Sequence, residues 1–184
     1  MTTRIEKIIP ATRHWLTTAV IGLNLCPFAR AVHMGNRVRY IVSTACTPST
    51  LLADLEPELR LLVQVDENDV ETTLLVHPFV LDDFLDFNRF LLDADKLLES
   101  LGLTGLIQIA SFHPQYQFAD LVSTDIGNYT NRSPYPTLHL LRESSVLRAT
   151  QSMADTGEIY RSNLQTMQSL GLDGWQALTR TIHE

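Results

Sequence analysis

Two histidine–proline pairs, His77-Pro78 and His113-Pro114, each follow a short apolar run of strand-forming residues. Proline biases the residue before it towards extended backbone, so each imidazole is expected where a strand ends. A neutral imidazole near pH 7 can act as acid, base or metal ligand. The plainer alternative is a ring that caps the sheet by bonding a backbone carbonyl. Two such pairs on one edge tip the reading towards function.

Cys26 is the third candidate, in Leu25-Cys26-Pro27-Phe28. Cys-Pro-aromatic resembles the start of a glutaredoxin-type motif. However, Ala29 stands where the second cysteine would be, and the motif follows a helix instead of a strand. A dithiol oxidoreductase is therefore rejected. A single nucleophilic cysteine paired with a histidine stays open, beside the commoner buried and inert thiol. Cys46 is read as inert.

The segment from Gln115 to Leu140 is the most unusual part of the chain, and long ordered loops are often lids or binding loops. It carries Tyr116, Asn128, Asn131 and Arg132. Arg132 is suited to a bidentate pair with a carboxylate or phosphate, with Tyr116, Asn128 and Asn131 orienting the same ligand. A helix expected from Thr137 would add backbone N–H groups for an anion, and would put His139 and Arg142 on its first turns. The alternative is an Arg132 paired with a structural aspartate and tyrosines that only wall a core. Cys26, His77, His113 and His139 are ligand types for zinc or iron, but no HxH, HExxH or CxxC spacing supports a metal. Walker A, GxGxxG and GxSxG patterns are absent as well.

The elements that must position these residues read as follows. Ile5, Ile8, Ile9, Trp15, Leu16, Ala19, Val20 and Leu23 recur at helical spacing, interrupted by Pro10 and ended by Gly22 and Asn24. Strands are expected over Val38–Ser43, Thr72–Val76 and Leu106–Ala110. Thr47-Pro48 opens a helix running to about Val65, buried through Leu51, Leu52, Leu55, Leu59, Leu62 and Val63. A second helix covers Asp82–Leu101, its stripe placed on Phe84, Leu85, Asn88, Leu91, Leu92, Asp95 and Leu98. Helices are expected over Thr137–Thr150, Gly157–Leu170 and Asp173–Ile182, with Trp175 and Leu178 in core packing or a dimer contact.

This order predicts an α/β fold: a three-layer βαβαβ core of short parallel strands with N-terminal and C-terminal helices. An α+β fold with antiparallel pairing is the runner-up. In open α/β sheets, ligands bind beyond the strand carboxyl ends. Those ends are Ser43-Thr44-Ala45-Cys46, His77-Pro78-Phe79 and Phe112-His113-Pro114.

The chain's 184 residues, with 45% hydrophobic and 19% charged, fit one globular domain over 1–184 and exclude a disordered tail. A net charge of −7 argues against nucleic acid. Two cysteines and no unbroken apolar run point to a cytoplasmic protein without a signal peptide or membrane span.

Four stretches also resemble a largely bacterial family known as a domain of unknown function, family 1415. They are Gly22–Ala29, Glu71–Pro78, Ala110–Phe118 and Asn128–Glu143. The resemblance covers nearly the whole chain and implies a free-standing protein of this size, with no known activity, substrate or cofactor. The residues themselves favour a small-molecule enzyme with an anionic substrate. His77, His113 and Cys26 would be catalytic, and Arg132, Asn131, Tyr116, Asn128 and Arg142 would bind substrate. A non-catalytic ligand- or protein-binding role, or a zinc- or iron-dependent version of the site with His77, His113 and His139, is the alternative.

Overall fold

A computed structural model describes residues 2–150 and 157–179. Helix α1 (Thr2–Trp15) continues through Pro10 into a π-helical turn, Leu16–Ile21. Gly22 closes that turn, because a Cβ there would run into the Thr18 carbonyl. Asn24, at φ 55°, redirects the chain. Short helix α2 (Ala29–Met34) follows and leads to β1 (Val38–Val42).

Helix α3 (Pro48–Gln64) starts as the sequence predicts. Thr47 caps it from extended backbone, accepting the Thr50 N–H at 3.2 Å, and Pro48 occupies the first turn. It buries Leu51, Leu55, Leu59 and Leu62, while Val63 stays exposed. Strand β2 (Thr72–Val76) is buried throughout. Asp83 caps α4 (Phe84–Ser100) by accepting the N–H groups of Leu85 and Asp86. The buried stripe of α4 is Phe87, Phe90, Ala94 and Leu98. The expected stripe is thus rotated: Leu85 and Leu92 are 62% and 63% exposed.

Strand β3 (Ile107–Phe112) follows, then a loop containing a 3₁₀ turn, Ile126–Asn131. Thr137–Arg142 is a strand, β4, not the first part of a helix; helix α5 (Glu143–Thr150) begins only after it. Helix α6 (Gly157–Thr179) is broken at Gly171 (φ 66°), matching the expected division into two helices. Positions 180–182 of the second one lie outside the described residues.

The sheet order is β1-β2-β4-β3. β1 pairs parallel with β2, and β4 pairs antiparallel with both β2 and β3. The sheet is therefore mixed, yet β1, β2 and β3 run the same way and their carboxyl ends share one edge. Helices cover both faces. α3 and α4 pack over Leu75, Ile107, Leu138 and Leu140 on one side. On the other, α1, the π-helical turn and α6 bring Trp15, Leu16, Met167 and Trp175 towards Val38, Tyr40 and Phe112. That is the α/β three-layer arrangement, with one antiparallel strand inserted. None of the helices in the described residues is long and apolar enough to cross a membrane.

Candidate functional site

At the shared carboxyl edge both His-Pro histidines are fully buried. The His77 ring gives its Nδ1–H to the Val80 carbonyl at 3.1 Å, and its Nε2 is sealed in without a partner. The His113 ring accepts the Gln115 N–H on Nδ1 at 3.0 Å and gives its Nε2–H to the Leu81 carbonyl at 3.1 Å. Both rings lie against Phe87, at centroid distances of 5.5 and 5.1 Å. The two histidines thus hold consecutive carbonyls of one loop. Within that loop Leu81 is at φ 61°, a strained conformation for a leucine. Burial lowers His77 to about 4 and holds His113 below its ordinary value, against the pull of Asp83 and Asp82 on the latter.

The polar residues of the long loop are occupied in holding it. Asn128, fully buried, accepts the Phe118 N–H at 3.0 Å and donates to the Val122 carbonyl at 2.8 Å. Asn131 donates to the Ser111 carbonyl at 3.4 Å, and its own carbonyl accepts the His113 N–H. Arg132 donates to the carbonyls of Tyr116 and Ser123, with its guanidinium 4.0 Å over the Tyr129 ring. The Tyr116 ring packs on Phe84 and Phe118. Arg142 reaches the carbonyls of Val65 and Val70 at 2.8 and 3.0 Å, closing the turn after α3. Because β4 is a strand, no helix N-terminus lies at Thr137. His139 and Arg142 fall on opposite sides of the strand instead of one helical surface.

Two cavities lie on the α1 side of the sheet. The smaller, about 150 Å³, is bordered by Arg132, Tyr129, Trp15 and Trp175. The larger, about 270 Å³, is walled by Trp15, Leu16, Val20, Phe28 and Val32 from the N-terminal helices, and by Leu74, Ala110, Phe112 and Leu141 from the sheet. His139, Thr72, Cys26 and Arg142 also border it. His139 Nε2 lies 2.7 Å from Thr72 Oγ1, which in turn lies 2.6 Å from the Leu140 carbonyl oxygen. Burial lowers His139 to about 4. Cys26 is half-buried; burial pushes its thiol up, against the opposing N–H groups of Phe28 and Ala29.

The expected convergence is therefore only partial. Cys26, His139 and Arg142 share the larger cavity, Arg132 borders the smaller one, and His77 and His113 line neither. Among the described residues no three His, Cys, Asp or Glu side chains come together as a metal-binding group, so His77, His113 and His139 do not assemble into one.

Residues 7–177 match the model of a family described as a protein of unknown function, DUF1415. The chain belongs to this family. No curated protein matches it, and no solved structure does. The DUF1415 match takes in every residue around the larger cavity, from Trp15 to Val146. Thr72 and Trp15 are the site residues that motif reasoning missed in this DUF1415 chain. A signal for Thr72 existed: Thr137 and His139 alternate with Leu138 and Leu140, a short run of strand periodicity that Leu141 ends. Reading that alternation puts His139 on a sheet face beside a neighbouring strand.

Proposed function

We propose that this protein binds a small, mainly apolar and uncharged molecule in the cavity between the sheet and the N-terminal helices. The observation that carries the reading is a cavity of about 270 Å³ with apolar walls and a hydrogen-bonded pair, buried Thr72 and half-buried His139, set into its sheet side. An apolar cavity of roughly 150 Å³ accepts a benzene ring, so this one has room for a bicyclic ring or a short acyl chain. An anionic ligand fits less well, because Arg142 at its border gives Nη2 to two backbone carbonyls and its unpartnered Nε is buried out of reach. A catalytic version of the same site is the second reading. It rests on Cys26 and His139 bordering one cavity, the two group types that nucleophilic chemistry pairs.

Cys26 supplies the test. In a Cys46→Ser background its alkylation by iodoacetamide is slow at pH 7, because burial keeps the thiol protonated. Saturating toluene or indene slows it several-fold further, and calorimetry records their binding. If neither compound binds nor protects Cys26, the reading fails.

A further inference from the structure

The hydrogen bonds at the sheet side of the larger cavity decide which nitrogen of His139 carries a proton. The Thr72 hydroxyl has one hydrogen to give. The Leu140 carbonyl, 2.6 Å away, can only accept, so the hydrogen goes there. The 2.7 Å contact to His139 Nε2 must then be donated by the imidazole. Burial keeps this ring neutral near pH 7, so Nε2 holds its only ring proton. Nδ1 is left with a bare lone pair. It takes no hydrogen bond among the described residues, and it is not one of their sealed, unpartnered buried atoms.

We infer that the ligand of this cavity is a mainly apolar molecule carrying one hydrogen-bond donor, a hydroxyl or a ring N–H, which it gives to Nδ1 of His139. The inference rests on the proposed binding function and narrows it to alcohols, phenols and indole-like heterocycles. The lone pair selects by chemistry. A donor of matched size satisfies it, while an apolar isostere desolvates it and leaves it unpaired. An ionised carboxylate offers only acceptors to an acceptor. The Thr72 hydroxyl fixes this polarity, because its single hydrogen is committed to Leu140 and cannot let Nε2 accept.

The experiment compares matched probes by calorimetry on the intact protein at pH 7: indole against indene, phenol against toluene, with benzoate as a third arm. The expected result is at least tenfold tighter binding by each donor than by its isostere, no detectable benzoate binding, and loss of the preference in His139→Phe. Nitrogen NMR of histidine-labelled protein provides an arm that needs no variant. It should report the Nε2–H form of His139, with the Nδ1 signal moving on addition of indole and not of indene. Equal affinities within each pair or an Nδ1–H form of His139 would overturn the inference while leaving the apolar cavity reading intact, whereas tighter binding of benzoate than of phenol would overturn both. Failure of every probe to bind would overturn both.

Discussion

Thr72 shows how much one hydroxyl can decide. It is buried in a central strand, and it bonds both His139 and the Leu140 carbonyl. Thr72→Val keeps the β-branched shape but leaves the imidazole N–H and the carbonyl unpaired. That change is expected to cost about 1–3 kcal/mol in urea unfolding, while Thr72→Ser, which keeps the hydroxyl, costs clearly less. Equal losses in the two variants would mean that the hydroxyl contributes nothing. Asn128 makes the same argument from the loop. Asn128→Leu unpairs the Phe118 N–H and the Val122 carbonyl, so a destabilisation of about 2–4 kcal/mol is expected from two buried groups. These residues also mark where sequence reasoning at this scale stops. An asparagine that binds a ligand and one that pins its own loop are the same letter in the same polar stretch. Only the location of the Phe118 and Val122 backbone separates them. The chain-distant partners of Arg142 are equally invisible, since Val65 and Val70 meet it through the fold alone.

The elements were more legible where local rules act without competition. Thr47-Pro48 opens α3, Gly171 breaks α6, and Gly22 with Asn24 ends the first helical run, each for a reason contained in a few neighbouring residues. A helix is expected over β4 because Leu138, Leu141 and Val146 also fall near helical spacing and α5 begins at Glu143 without an intervening break. Pairing with β2 on one side and β3 on the other overrides that preference. The α4 stripe differs from the expected one for a related reason: Leu85 and Leu92 are as apolar as Phe87 and Phe90, and only the sheet beneath selects between the two sides. Helix α2 carries its own prediction. It has no buried residue and lies between Asn24 and Asn36, both at positive φ, yet Phe28, Ala29 and Val32 help wall the larger cavity. Its amides are expected to exchange with deuterium well before those of α3 and α4, because few apolar contacts hold it closed. Indole should slow exchange over 29–34 and leave α4 unchanged. Slow exchange there in the free protein would mean that the wall is rigid.

At the scale of the whole molecule the two layers of helices cover a histidine on each side of the sheet, His77 fully buried and His139 half-buried, and acid should act on both. His77 lies against Phe87 and the α4 side with His113 nearby, whose own neighbours include Asp82 and Asp83. His139 faces the opposite side, beside Phe112 and the cavity. Burial depresses each from the ordinary 6.5 to about 4, so the unfolded chain binds more protons than the folded one between those values. Stability therefore rises with pH through that window; it is fully present above about 6.5 and is lost as pH falls towards 4. Each histidine accounts for about 3 kcal/mol over the window, and the sheet between them makes the two contributions close to additive. Urea titrations at pH 7, 5.5 and 4.5 should show this decline; His139→Phe should remove its own share of the slope and leave the share of His77 and its neighbour His113, whereas His77→Phe should leave the share of His139 intact. A stability curve that stays flat from pH 7 to 4.5 would mean that water reaches both rings and that neither is held neutral by burial. A slope that disappears entirely with His77 alone would put the error on the cavity side of the sheet, where the neutral His139 ring is the acceptor assigned to the ligand.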